Sequence, residues 1–122
     1  VETVDLDTAN WLLTADAARL CRSVSNDLAA GTSALKLAEQ LTRNTTWSAS
    51  RRSAVLQLVH VRHKAAKRYT HADEMFFTKD ALEQLSEPNV AQWRAEDLLA
   101  RFHAATDDTP ERIVDLCAGV GG

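Results

Sequence analysis

The chain predicts an all-α fold, a compact bundle of about five helices, and three observations carry that expectation. Apolar residues recur at helical rather than alternating spacing along most of the 122 residues. A Ser, Thr or Asp stands ahead of most of these apolar runs, where a helix needs an N-cap. Glycine is nearly absent until the end, where three of the four (Gly119, Gly121, Gly122) fall in the last four positions. With 45% hydrophobic and 25% charged residues, the composition suits one globular domain with a modest core and excludes a disordered or collagen-like chain.

The elements follow in order. Leu13, Ala17, Leu20, Cys21, Val24 and Leu28 make one helical stripe, with Thr14 or the earlier Asp7 and Thr8 as caps and Asn26 to Gly31 as its exit. Thr32 or Ser33 caps a second, shorter helix that places Ala34, Leu37, Ala38 and Leu41 together. Residues 43–46 connect, and Trp47 is expected to fold back onto the core. The longest helix starts near Ser48 or Ser50 and runs toward Tyr69, with Val55, Leu58, Val59, Ala65 and Ala66 on or near one face. The connector 71–78 holds the apolar run Met75-Phe76-Phe77, and Thr78 caps a short helix over 79–85. Pro88 suits the first turn of a last helix, where its missing N–H costs nothing. Ala91, Ala95, Leu98, Leu99 and Phe102 are expected as that helix's buried stripe, and Asp107-Asp108-Thr109-Pro110 ends it.

No apolar stretch is long enough to cross a bilayer, and no N-terminal run resembles a signal peptide. Cys21 and Cys117 are single and far apart, which indicates neither a disulfide framework nor a zinc site. A cytoplasmic protein with no membrane partner is therefore expected. His60 and His63 lie one helical turn apart without a carboxylate or thiolate beside them, so no metal site is expected. His71 with Asp73 and Glu74 implies no nucleophile and is not read as catalytic. Trp11, Trp47 and Trp93 read as core or interdomain packing.

Charge is strongly segregated. Between Glu39 and Asp73 no acidic residue occurs, and residues 40–72 carry seven Lys/Arg, so the net charge of −3 resolves into +7 there and −10 in the other 89 residues. Arg51, Arg52, Arg62, Lys64, Lys67 and Arg68 would concentrate a positive field on helix 48–69, suited to steering a polyanion, with RNA as the candidate partner. A solvated helix that faces the acidic remainder of the protein explains the same run equally well.

The end of the chain differs in kind. Arg112-Ile113-Val114-Asp115-Leu116 is a β-branched run expected as a short strand, one that needs a sheet or the bundle to pair with. It enters Cys117-Ala118-Gly119-Val120-Gly121-Gly122, where glycines let a loop turn sharply and approach a ligand. The dinucleotide fingerprint and the P-loop are both absent. The string Val114 to Gly122 resembles motif I of class I S-adenosylmethionine-dependent methyltransferases, in the wording used by bacterial enzymes that carry a helical N-terminal domain and often a THUMP-like domain. Met75-Phe76-Phe77-Thr78 followed by Leu82-Glu83-Gln84 fits the same resemblance, as in RNA guanine methyltransferases of the trimethylguanosine synthase kind.

The resemblance implies that residues 1–110 form a helical N-terminal domain and 111–122 begin an α/β Rossmann-like domain, with the chain cut just inside its cofactor loop. It implies S-adenosylmethionine as cofactor, lined by Asp115, Cys117, Ala118, Gly119 and Gly121, and catalytic residues beyond Gly122. The parent enzyme would methylate a base in RNA, and the fragment alone would be inactive. The basic helix, with Phe77 and Thr78, would position the substrate, and the helical domain's other partner would be its own catalytic domain. A non-enzymatic helical nucleic-acid-binding or protein-interaction module with an incidental glycine tail is the alternative.

Overall fold

The computed structural model describes residues 4–115, and all of its regular structure is helical. There are six helices where the sequence suggested five: α1 (Leu6–Leu12), α2 (Ala15–Ala29), α3 (Ala34–Arg43), α4 (Ala49–Ala65), α5 (Lys79–Gln84) and α6 (Pro88–Thr106). The extra helix arises because two caps operate where one was expected. Asp5 accepts from the Thr8 amide at 2.8 Å and opens α1, and Thr14 then accepts from the Ala17 amide at 3.3 Å and opens α2. Leu13 falls between the two helices and is 71% exposed, so it leaves the stripe assigned to it.

Ser33, Ser48 and Thr78 each cap the helix expected of them, accepting from Lys36, Arg51 and Ala81 amides. Helix α2 closes on Gly31 at φ 91°, with Gly31 N–H bonded to the Leu28 carbonyl and Thr32 N–H to that of Asp27, both at 3.0 Å. That paired closure needs a left-handed residue, which glycine adopts without a Cβ penalty. Pro88 occupies the first turn of α6, and Asp107 ends that helix in the left-handed region at φ 55°.

Helix α4 is the centre of the bundle, packed against α1, α2, α3 and α5. Its first half contributes Val55, Leu58 and Val59 to a core closed by Trp11, Ala17, Cys21, Val24, Leu37 and Leu41. Trp47 does fold back, its ring 5.1 Å from that of Trp11. The second half of α4 contributes Val61 and Ala65 to a smaller core with Ala72, Phe77 and Leu82. The helix stops at Ala65, short of Tyr69, which instead donates from its hydroxyl to the Ser86 carbonyl at 2.6 Å.

Two expectations are corrected. Helix α6 packs against no other helix, and none of its residues is buried, so Ala91, Ala95, Leu98, Leu99 and Phe102 form an uncovered stripe. The periodicity is real, but among the described residues no apolar surface lies opposite it. Residues 112–115 are not a strand, and Ile113 and Val114 are exposed. With no neighbouring strand among the described residues, an extended segment has no ladder to join. Leu116 and the glycine loop lie outside the described residues.

Candidate functional site

The cations of α4 divide into two groups. Four arginines in and just after the helix use their guanidinium groups inside the molecule. The Arg51 guanidinium lies over the Trp11 ring, 5.0 Å from its centroid. Arg52 donates to the carbonyls of Asn44 at 3.1 Å and Trp47 at 2.7 Å, tying the connector before α4 to the helix. Arg62 donates from Nε to the Met75 carbonyl at 2.8 Å and lies 4.9 Å from the Phe76 ring centroid. Arg68 donates to the Leu82 carbonyl at 3.2 Å and lies 5.5 Å from the Tyr69 ring centroid. The guanidinium groups of Arg52, Arg62 and Arg68 satisfy backbone carbonyls, a task that suits a planar multi-donor head on a long stem.

Arg62 is half-buried. Burial pulls its pKa below the ordinary guanidinium value, and the Cys21 thiol and Asp73 carboxylate partly oppose that shift. Burial in turn pushes the Cys21 thiol up, against the pull of Arg62. Cys21 is thus a protonated core residue rather than a thiolate.

The second group is Lys64 and Lys67 with His60 and His63, all exposed and with no side-chain hydrogen bond or ion pair among the described residues. Lys64 and His60 stand on the wall of a groove of about 970 Å³ formed by α1, α4 and residues 76–81. Most of its lining is apolar: Leu12 from α1 and Leu13 just after it, Ala54, Leu56, Leu58 and Val61 from α4, then Phe76 and Phe77. Its polar residues are Asn10 on α1, the row Gln57, His60 and Lys64 along one face of α4, and Thr78, Lys79 and Asp80 at the start of α5.

Of the residues assigned from sequence, the structure brings Lys64, Phe77 and Thr78 together in this groove. Phe77 is buried in the smaller core and lines the groove, while the Thr78 hydroxyl caps α5 at 3.1 Å from the Ala81 amide. Arg51, Arg52, Arg62, Lys67 and Arg68 do not line it. Phe76, weighed from sequence as both core and site, lines the groove as well, whereas sequence reasoning did not assign Lys79, His60, Leu12 or Leu13 to a site. The spacing of Gln57, His60 and Lys64, three and then four residues apart, was a readable signal for one shared helix face. The approach of α1 was not, because it depends on long-range packing.

Of the residues assigned to the cofactor, Asp115 is exposed at the end of the described chain, and Cys117, Ala118, Gly119 and Gly121 lie outside it. Among the described residues no group of three His, Cys, Asp or Glu side chains is arranged to hold a metal ion, and no helix is long and apolar enough to cross a membrane. No family model, curated protein or solved structure matches the chain.

Proposed function

We propose that this chain is the substrate-positioning N-terminal domain of a class I methyltransferase that transfers a methyl group from S-adenosylmethionine to RNA. The observation that carries the reading is the string Val114-Asp115-Leu116-Cys117-Ala118-Gly119-Val120-Gly121-Gly122, placed directly after an all-helical body. A β-branched run leading into clustered glycines has the composition of a strand followed by a ligand-approaching loop. Asp115, Cys117, Ala118, Gly119 and Gly121 would hold the cofactor, and the catalytic groups would follow Gly122. Within that reading the enzyme works in the cytoplasm, and these 122 residues alone do not catalyse.

Two structural features support the assignment. The uncovered apolar stripe of α6 stands immediately before the motif, where a following domain can cover it. The apolar groove with lysines at its edge adjoins the Met75 to Gln84 segment of the resemblance. The same uncovered stripe favours the second reading, a module whose task is to bind another macromolecule.

Calorimetric titration of S-adenosylmethionine into the protein extended through its natural C-terminus, with Asp115→Ala as control, separates the two. Binding that the substitution weakens supports the methyltransferase. A folded extended protein that releases no heat with the cofactor leaves the interaction module.

A further inference from the structure

We infer that the groove between α1, α4 and residues 76–81 receives an unpaired base of single-stranded RNA, stacked on Phe76 with the adjoining phosphates on Lys64 and Lys79. The inference rests on the reading of this domain as RNA-positioning, and adds to it the form of the strand and the residues that hold it.

Phe76 is the first support. Phe77 beside it is buried in the smaller core, whereas Phe76 is 45% exposed and lines the groove. The Arg62 guanidinium lies over its ring and is itself fixed by the Met75 carbonyl, so the ring is held from one side by a braced cation. A ring supported in this way offers a stacking surface that any base can use, whatever the sequence.

Charge is the second support. Lys64 comes from α4 and Lys79 from the start of α5, and both line the groove with no side-chain hydrogen bond or ion pair among the described residues. His60 adds a third basic group, and Asp80 is the groove's one acid among the described residues. Because Arg51, Arg52, Arg62 and Arg68 are engaged with rings and carbonyls, phosphate binding falls to these lysines. The third support is shape. A space of about 970 Å³ is of the size that takes a nucleoside. Helix α4 is enclosed by four other helices and is not free to lie along a duplex. Bases of a single strand can be splayed into an apolar slot, as paired bases cannot.

The test is fluorescence anisotropy of the chain with a labelled oligouridylate of about 12 nucleotides, within the site sizes such proteins use, across a salt series. The single strand should bind, and a duplex of equal length should bind roughly tenfold more weakly or worse. Phe76→Ala should weaken binding about 5- to 100-fold, the effect of one lost base–aromatic stack, and Phe76→Trp should restore it. The double substitution Lys64→Gln with Lys79→Gln should reduce the salt slope by about 1.4, from two phosphate contacts on a single strand. All three positions are exposed, and a single cooperative melting transition with wild-type helical content shows that the variants fold.

Failure of the folded chain to bind the oligomer overturns the inference. So does wild-type affinity in Phe76→Ala, an unchanged salt slope, a preference for duplex, or palmitate filling the groove without displacing RNA. The cofactor titration fails separately. RNA binding that survives Phe76→Ala, alongside Asp115-dependent cofactor binding, removes the groove assignment alone. Phe76-dependent RNA binding without cofactor binding removes the methyltransferase alone and upholds the groove.

Discussion

Arg62 was assigned to RNA on sequence and is a brace in the structure, and Arg62→Met decides between the two roles. The guanidinium makes one charge-assisted hydrogen bond, to the Met75 carbonyl at 2.8 Å, and one ring contact, to Phe76 at 4.9 Å. A hydrogen bond from a charged group contributes about 1.5–3 kcal/mol, and a partly exposed cation–ring contact about 0.5–1 kcal/mol. Partial desolvation of the guanidinium, the cause of its lowered pKa, offsets some of that gain. Methionine keeps most of the stem's packing, so the expected net loss is about 1–2 kcal/mol. For a domain of this size that is a fall in melting midpoint of roughly 4–10 °C. Urea unfolding followed by circular dichroism measures it directly, and a double-mutant cycle with Phe76→Ala isolates the ring contact. Stability within about 0.3 kcal/mol of wild type, a typical error of such comparisons, would refute the brace. A loss of RNA affinity with no loss of stability would return Arg62 to the interface.

Three further outcomes are expected. Leu98→Glu on the uncovered face of α6 should leave stability within about 0.5 kcal/mol of wild type, as for surface sites generally, and a large fall in melting midpoint would show that the stripe is packed. The Asp5 carboxylate is held below its ordinary pKa, first by the Thr8 backbone N–H and then by the Thr8 hydroxyl. Its folded pKa being depressed, its contribution is present above the unfolded carboxylate pKa and is lost as pH falls through the folded one. Asp5→Ala should therefore lower the melting midpoint at neutral pH, with the gap from wild type closing in acid, and a gap that widens in acid contradicts the cap. Cys21, buried and with its thiol pKa raised, should resist a disulfide reagent at pH 8 in a Cys117→Ser background and react fully in denaturant. Rapid native-state labelling would show that the core opens.

What the sequence disclosed and what it withheld divide along a physical line. Thr14, Ser33, Ser48 and Thr78 were legible as caps because a cap bonds an amide two or three residues away, a distance a sequence displays. Gly31 was legible as an exit for the same reason. The stripe of α6 was legible as periodicity but not as burial, since an identical pattern serves a helix inside a core and one awaiting a partner. Helix α4 misled in a different way. Its apolar face was legible, with Val55, Leu58, Val59 and Ala65 buried as expected. Its arginines, however, read as a field for a polyanion and are instead engaged with rings and carbonyls of this same chain. Where a guanidinium at the end of a flexible stem lands, on a carbonyl 13 or 14 residues away in the case of Arg62 and Arg68, is a tertiary fact. The groove has the same origin: Lys64, Phe77 and Thr78 were individually suspected, but α1, which closes it, is far from them in the chain.

The two cores threaded on one helix have a thermodynamic consequence. Neither cluster is large, but both take their central side chains from α4, so its loss opens both at once. The stretch from α1 to α5 should therefore melt as a single cooperative unit, with the amides of mid-α4 exchanging hydrogen only through global unfolding. Helix α6, outside that unit, should exchange at the pace of its own fraying, and any partner that covers it would register first as slowed exchange along 88–106.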